Sequence, residues 1–344
     1  MKNRLIKVIT NKDIENIQLN EEIISLALRL PCKCNLDCSY CYGKIERKGV
    51  LLSFNEIKNI ILQAYELKAR TIEIVGEGEP LLYSKFNDLI KYINQLDMIS
   101  TLYTNCSLIT PKLSEFLYNQ NVIVIGKQNS LSPDIQNKIC NLDGSYDKII
   151  KGLGYLIDAG FTDMKPSRLG IHTVILKENI NDIPKMWRQW RKKNIIPQVQ
   201  ALVYPSKYQS KRYLDFFKIH ASSPKETRDL FKNLSMIDRN EFGIIWDPVT
   251  AYPIAPDSCR VVYGTLGITQ EGNIQICSFT EKPLGNIRDT SLKRILQSDE
   301  VKRIRSKDNN FGYQKYGYGC RANAYNMTGD RYGPDPFYDE YLQE

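Results

Sequence analysis

Histidine is nearly absent from this chain: its 344 residues contain two, His172 and His220. That argues against metal sites built mainly from imidazole. Long apolar runs are missing too. Nothing approaches the roughly 18 apolar residues of a membrane span. The start, Met1-Lys2-Asn3-Arg4-Leu5-Ile6-Lys7, has no uninterrupted apolar stretch of signal-peptide length. A cytoplasmic protein with no membrane contact is therefore expected. Neither sign of charge dominates: the net charge of +8 is moderate in an Ile/Asn/Lys-rich chain. It would suit an anionic substrate. The densest basic stretch, 185–193, contains Trp187 and Trp190 and reads as a solvated helix face with both rings packed inward. A nucleic-acid partner is not expected. Hydrophobic and charged fractions are ordinary for a globular protein, and the length allows one large domain or two smaller ones.

Cysteine, by contrast, is plentiful. Nine cysteines without an export signal favour metal binding over disulfides. Three stand in one short run, Cys34-Asn35-Leu36-Asp37-Cys38-Ser39-Tyr40-Cys41, with C-x3-C-x2-C spacing. Thiolate is the soft ligand that iron–sulfur clusters take. Three thiolates on one loop can hold three corners of a cubic cluster and leave the fourth iron open. An open iron can bind a small molecule and pass it an electron. A structural zinc knot is the bland alternative, but its ligands usually come as two separated pairs, often with histidine. Neither histidine lies near the triplet in sequence.

At these residues the chain resembles the radical S-adenosylmethionine (SAM) superfamily, whose signature is C-x3-C-x-aromatic-C, with Tyr40 as the aromatic. The resemblance implies a 4Fe-4S cluster on Cys34, Cys38 and Cys41. Its open iron would bind the amino and carboxylate groups of SAM. Reductive cleavage would then give methionine and a 5′-deoxyadenosyl radical that takes hydrogen from a substrate. The cofactor carries the reactive species, and the protein supplies geometry and shielding.

The first two-thirds alternate strand and helix. Strands are expected at 25–30, 71–75, 100–104, 122–125, 169–176 and 199–203. Helices are expected after the Ser53–Glu56 capping box, over about 85–96, from Pro111, over 146–159 with Gly160 as the stop, and over 183–193. Repeated strand–helix units with short connections imply a parallel sheet with helices on its outer side. The fold class is α/β, and the six units resemble the partial (β/α)6 TIM-type barrel of radical SAM proteins. In barrels of this type chemistry sits at the C-terminal strand ends.

Those ends carry suitable groups. After the second strand comes Gly76-Glu77-Gly78-Glu79-Pro80. Its glycines permit close backbone approach to a ligand, and Glu79 can accept from an ammonium. The stretch resembles the family's G-G-E-P motif, which holds the SAM amino group, with Glu77 replacing one glycine. Thr104-Asn105 stands where the family often has T-N-G, with Cys106 in place of the glycine. Lys127, Asn129 and Ser130 follow the fourth strand and resemble positions that approach SAM or substrate. The expected cofactor-binding set is Tyr40, Gly76, Gly78, Glu79, Pro80, Asn105, Lys127 and Ser130.

The chain changes character after about Lys207. A polar, basic connection runs to roughly Arg239. Cys259 and Cys277 follow with 17 residues between them. Alternation about Glu271-Gly272-Asn273 marks a β-hairpin. Gly272 to Cys277 (G-x4-C) and Cys320-Arg321-Ala322-Asn323-Ala324-Tyr325 resemble the SPASM/twitch extension of radical SAM enzymes, which binds auxiliary 4Fe-4S clusters. Only Cys259, Cys277 and Cys320 match its cysteines. Gly317 takes the first place of a C-x2-C pair, and Tyr338 sits close to the Cys of a D-P-x-C ending. The resemblance thus points to a small α+β twitch-like iron–sulfur domain with one auxiliary cluster on three cysteines. Its fourth iron is open, or closed by Asp, Tyr, water or substrate. Three buried structural cysteines are the alternative. Cys32, Cys106 and Cys140 receive no role.

The expected organisation is a radical SAM partial barrel over 1–207, a linker with connecting helices over 208–258, and the auxiliary-cluster domain over 259–344. The resemblance implies a lyase or oxidoreductase with an electron donor such as flavodoxin or ferredoxin. A small polar substrate is expected, of nucleoside, nucleotide or sugar type; a modified-nucleoside lyase, as in queuosine salvage, or a dehydrogenase would fit. A SPASM-type maturase of a ribosomal peptide is the second reading, against which only about 25 residues precede the first strand. A non-catalytic zinc protein, perhaps RNA-binding, is the reading from another class.

Overall fold

The computed structural model describes residues 22–43, 49–206, 210–246, 264–277, 279, 282–305 and 319–342. Cys259 and Gly317 lie outside them.

Six parallel strands run β1 (Ser25–Arg29), β2 (Thr71–Val75), β3 (Ile99–Thr104), β4 (Ile123–Lys127), β5 (Leu169–Ile175) and β6 (Ile196–Ala201), each paired with the next. Helices α1 (Phe54–Glu66), α2 (Phe86–Gln95), α3 (Pro111–Asn119), α4 (Pro133–Cys140), α5 (Ser145–Asp158) and α6 (Ile183–Lys192) join them. Local chemistry sets the helix starts. Ser53 and Glu56 form the expected capping box on α1. Thr110 caps α3 and Pro111 opens it. Gly160, just past α5, has φ +90°. The larger boundary differences from the sequence reading are at β4 and β6. β4 reaches Lys127, so that side chain belongs to the strand and not to the loop after it. β6 begins at Ile196, because Asn194 (φ +53°) turns the chain directly out of α6. Helix α4 was not expected at all.

Three short strands follow: β7 (Thr265–Ile268), β8 (Asn273–Gln275) and β9 (Gly285–Asn286). β7 and β8 form the expected hairpin, turning through Gly272 at φ +85°. β7 also pairs in parallel with β1, so one sheet runs β6-β5-β4-β3-β2-β1-β7-β8-β9. The parallel part is an open partial barrel continued on its β1 side, since β1 spends its second edge on β7. Helices α7 (Lys211–His220) and α8 (Pro224–Ile237) lie between β6 and β7 in sequence. Helices α9 (Leu292–Leu296), α10 (Asp299–Arg305), α11 (Arg321–Thr328) and α12 (Pro336–Leu342) complete the described chain.

Side chains alternate between sheet faces. Leu26, Leu28, Ile72, Ile74, Leu102 and Ile171 point outward into the main apolar core, which α1 to α6 cover. The opposite face is mixed: polar side chains stand among the apolar Val75, Ile123, Ile125 and Val174. Residues paired in register share a face, so Ala27, Glu73 and Thr101 stand together, as do Lys127, His172 and Gln198. Arg29, Tyr103 and Gln200 lie on this face too. In a packed barrel these positions would be apolar. Here Glu73, Tyr103, Lys127, Gln198 and Gln200 keep partial solvent contact, although protein encloses Glu73, Tyr103 and Lys127. Enclosure with residual solvent contact is what lining a recess means. These polar groups, with apolar Ile123 and Ile125 between them, line the inner face of the barrel, the wall of its chamber.

Candidate active site

The cysteine loop leaves the C-terminal end of β1. Its shape is held from three sides. The Asp37 and Ser39 N–H groups donate to Cys140 and Ile139 carbonyls at the end of α4. Arg212 of α7 grips Asp37 through its carboxylate (2.7 Å) and its carbonyl (2.9 Å). Asn35 accepts from Asn105, at the end of β3 (2.9 Å). The Leu36 N–H points at Cys34 Sγ (3.4 Å), and the Cys41 N–H bonds the Cys38 carbonyl. Such N–H···S contacts favour thiolate. Cys34, Cys38 and Cys41 are close enough to shift one another's ionisation. Cys38 is pushed up first by Cys140 beside it and then by burial. Cys41 is pushed up by burial. Cys140 is far away in sequence and no motif flags it, so its place against Cys38 emerges only in three dimensions.

The turn after β2 packs on this loop. A Cβ on Gly78 would lie 2.3 Å from the Cys32 carbonyl oxygen, and one on Gly76 2.5 Å from that of Gly78. Both glycines are required by close backbone approach. The Glu79 N–H bonds the Lys33 carbonyl (2.9 Å). The Glu79 carboxylate, 2 % exposed, accepts from Thr104 Oγ1 (2.6 Å) and the N–H groups of Asn105 (2.9 Å) and Leu81 (3.3 Å). Burial pushes its pKa up to about 7 against these three donors. Pro80 is buried and opens a short 3-10 turn. Glu77 pairs with the buried Arg29 (2.7 Å), which also donates to Gln275 of β8 (3.0 Å). A glycine at position 77 could not make this link between β1, the β2 turn and β8. Cys106 stands at φ +65°, the left-handed conformation that a glycine would take without strain.

Lys127 ends β4 inside the chamber, 5.6 Å from the centre of the Tyr40 ring and 2.6 Å from His172 Nδ1. Burial draws its pKa down to about 8, with Cys38 and Cys41 opposing. Ser130 is fully buried and its hydroxyl accepts the Ser132 N–H (3.0 Å), which shapes the turn before α4. Asn129 is equally buried and braces the end of β5 by accepting the Val174 N–H.

The second cysteine region adjoins the first. Cys277 follows β8 and is buried, its sulfur accepting from the Phe279 N–H (3.4 Å). Phe279 meets Tyr42 edge to face (5.4 Å). Tyr42 directly follows Cys41, and both Cys41 and Cys277 help hold its phenol up, at about 12, after burial. Cys320 caps α11 and is buried, with its N–H on Asp335 (2.6 Å). Gly319, at φ +92°, leaves no room for a Cβ beside Asp335. Burial raises Asp335 to about 6, with both oxygens taking backbone N–H groups. Tyr338 packs among apolar residues of α6 and α8, in the second core cluster.

Residues 29–188 match the Radical SAM superfamily, and residues 259–321 match SPASM, an iron–sulfur cluster-binding domain. The chain is a radical SAM enzyme with a SPASM-type domain. A probable GTP 3′,8-cyclase of Methanococcus maripaludis is 25% identical over 65% of this chain and 74% of its own length. An AdoMet-dependent heme synthase of Nitratidesulfovibrio vulgaris is 25% identical over 90% of each chain. In structure, SuiB of Streptococcus suis bound to S-adenosylmethionine superposes with a TM-score of 0.71 at 18% identity, covering 95% of this chain and 80% of that one. This last likeness supports the fold.

Membership brings a SAM-binding 4Fe-4S cluster, an auxiliary cluster and SAM. Among the described residues no group of three or more His, Cys, Asp or Glu is set to hold a metal ion. A cubic cluster asks for three thiolates, each facing its own iron. The Cys34–Cys41 loop meets that donor set. No described helix is long and apolar enough to cross a membrane. Sequence reasoning missed Arg29, Tyr42, Glu73, Tyr103, His172 and Gln200, which line or brace the chamber. The signal that could have found several of them is a polar residue at every second strand position, as in Thr71-Ile72-Glu73-Ile74 and Pro197-Gln198-Val199-Gln200.

A test of the β2 turn follows from its packing. Gly78→Ala should displace the cysteine loop, since backbone carbonyls cannot yield as a flexible side chain would. We expect soluble protein with sharply reduced iron after anaerobic reconstitution; wild-type iron content would show that the turn can open.

Proposed function

We propose that this radical SAM enzyme abstracts hydrogen from a small polar molecule, of nucleoside or nucleotide type, held in the barrel chamber. The polar groups of the inner face carry the reading, because an apolar substrate would leave the remaining hydrogen-bonding capacity of Glu73, Lys127 and Gln200 without a partner. The relative named as a GTP 3′,8-cyclase supports the nucleotide class. In this reading Cys34, Cys38 and Cys41 hold the first cluster, and Cys259, Cys277 and Cys320 the second. When bound and reduced, the first cluster supplies the electron that cleaves SAM to methionine and a 5′-deoxyadenosyl radical. The chain's own residues do the rest. Gly76 and Gly78 let the turn approach SAM, and Tyr40, Pro80 and Asn105 shape the loops around it. Ser130 acts at one remove, through its turn. Glu79 takes the SAM ammonium with its remaining acceptor capacity, and the arriving cation stabilises its ionised form. Lys127 offers a cation beside the first cluster, and Tyr42 with Phe279 walls the space between the cysteine regions. An outside electron donor, such as flavodoxin or ferredoxin, completes the cycle.

The test is anaerobic incubation of reduced enzyme with SAM and a panel of nucleosides, nucleotides, sugars and short peptides. A nucleoside or nucleotide should stimulate 5′-deoxyadenosine formation and donate hydrogen to it, traced with deuterated substrate. Stimulation by a peptide alone would replace this substrate class with the maturase reading.

Glu79→Ala should weaken SAM binding about ten- to a hundredfold, the equivalent of one charge-assisted hydrogen bond of about 1.5–3 kcal/mol. It should also lower thermal stability, because the Thr104 hydroxyl and two N–H groups lose their acceptor. Calorimetric titration and a melting curve separate these effects. Reduced stability with unchanged SAM affinity would confine Glu79 to bracing β3.

A further inference from the structure

Three strands of the chamber wall share one chain of hydrogen bonds. Lys127 Nζ of β4 meets His172 Nδ1 of β5 at 2.6 Å, and His172 Nε2 meets Gln200 Oε1 of β6 at 2.9 Å. With Lys127 in its ammonium form, the direction of this chain follows. An ammonium has only donors, so His172 Nδ1 must accept. A neutral imidazole that accepts at Nδ1 carries its proton at Nε2. That proton needs an acceptor, and Gln200 can satisfy it only with its carbonyl oxygen. The amide nitrogen of Gln200 is therefore turned away from His172, with both N–H groups still to be satisfied. Gln200 is half-buried and belongs to the inner face, so these donors look into the chamber. Neither strand ends nor signature motifs account for this arrangement. His172 is also one of only two histidines in the chain.

The surroundings suit a planar ligand. Tyr103 lies edge-on to His172 (6.5 Å), and Tyr40 lies under Lys127 (5.6 Å). Both rings retain partial solvent contact. Aromatic faces beside oriented donors are how proteins hold unstacked bases.

We propose that Gln200 is a substrate-recognition residue whose amide donates to a ring carbonyl of a nucleobase, with His172 as the positioning residue that orients it from Lys127. The proposal rests on the nucleoside reading above and goes further by naming the atom recognised. A neutral amide donor matches a neutral carbonyl, and the Lys127 charge at the far end of the chain strengthens each donor in turn. A ring without that carbonyl leaves the donors unpaired in a partly desolvated site. Sites built this way discriminate strongly against the analogue that lacks the group.

Two measurements on the SAM-saturated holoenzyme test it. The first is 15N NMR of histidine-labelled protein, in which two ring systems must account for every signal. His172 should appear as the neutral Nε2–H tautomer and stay so between pH 5.5 and 7, a range set about the ordinary histidine value of roughly 6.5 and below the loss of the Lys127 ammonium. Gln200→Ala should move its Nε2 resonance. An Nδ1–H tautomer, or an imidazolium forming in that range, overturns the chain and the proposal with it.

The second is binding of guanosine and of 2-aminopurine riboside, the same ring system without the carbonyl. Wild-type enzyme should prefer guanosine by about ten- to a hundredfold, the worth of a hydrogen bond whose loss strands its partner. Gln200→Ala should abolish that preference. Gln200→Glu, which still accepts from His172 but offers no donor, should bind guanosine at least as weakly as Gln200→Ala does. Equal preference in wild type and Gln200→Ala overturns the proposal. So does failure of guanosine to bind the wild type. The broader substrate reading fails separately, when no nucleoside, nucleotide or sugar stimulates 5′-deoxyadenosine formation.

Discussion

Alanine in place of Cys34, Cys38 or Cys41 should reduce SAM cleavage to the assay background while the protein still folds. Both halves of this expectation come from the loop. Its shape depends on backbone bonds to the end of α4, on Arg212 at Asp37 and on the contacts of Asn35 with Asn105 and Ser107. None of these involves a thiol. Removing one sulfur should leave the loop in place with a gap at one corner of the cluster. Two thiolates cannot fix the geometry that SAM binding at the open iron demands. The check is anaerobic, reduced enzyme with SAM, followed by chromatography of 5′-deoxyadenosine and methionine, beside circular dichroism for folding. Unimpaired cleavage in Cys38→Ala would sink the assignment of the loop as the cluster site.

Replacing Cys259, Cys277 and Cys320 together should halve the iron. Two cubic clusters correspond to about eight irons per chain, and the variant should keep about four. The SAM-site cluster should survive, because the two cysteine regions meet through Tyr42 and Phe279 and through the Arg29 bridge to Gln275, again without using a sulfur. If the fourth iron of the second cluster is open, a nucleobase with nitrogen or oxygen donors could bind it and change its EPR spectrum. Tyr338 is an implausible fourth ligand, since its ring lies in the apolar cluster of α6 and α8. About four irons in fully reconstituted wild type would refute the second cluster.

The parallel sheet was legible because its outward residues repeat. Leu26, Leu28, Ile72 and Ile74 alternate with residues of the other face, and capping boxes and prolines mark the helices between. That Cys34, Cys38 and Cys41 lie close together was legible because they stand on one short loop. The chamber was less so. Lys127, His172 and Gln200 are far apart in sequence, and only strand register brings them into line. Helix α4 escaped notice because it is short and polar, Pro133-Asp134-Ile135-Gln136-Asn137-Lys138-Ile139-Cys140, and is held by the loops it touches. The pairing of β7 with β1 left no local mark. β7 is four residues long, and nothing in Thr265-Leu266-Gly267-Ile268 names its partner.

That last pairing shapes the life of the chain on the ribosome. β1 is made before the other described strands, yet its β7 neighbour arrives 240 residues later, the separation of the Ser25 and Thr265 hydroxyls that meet across the seam. Until then one edge of β1 stays open beside the cysteine loop. Contacts so distant in sequence form late, and open strand edges invite the wrong partner. The same delay leaves open the edge of the strand from which the loop departs. Delivery of the first cluster to a nascent or newly released chain would thus be easier than delivery to the finished fold. Once the seam is closed, the strand that leads into the first cysteine loop and the hairpin that leads to Cys277 share one sheet.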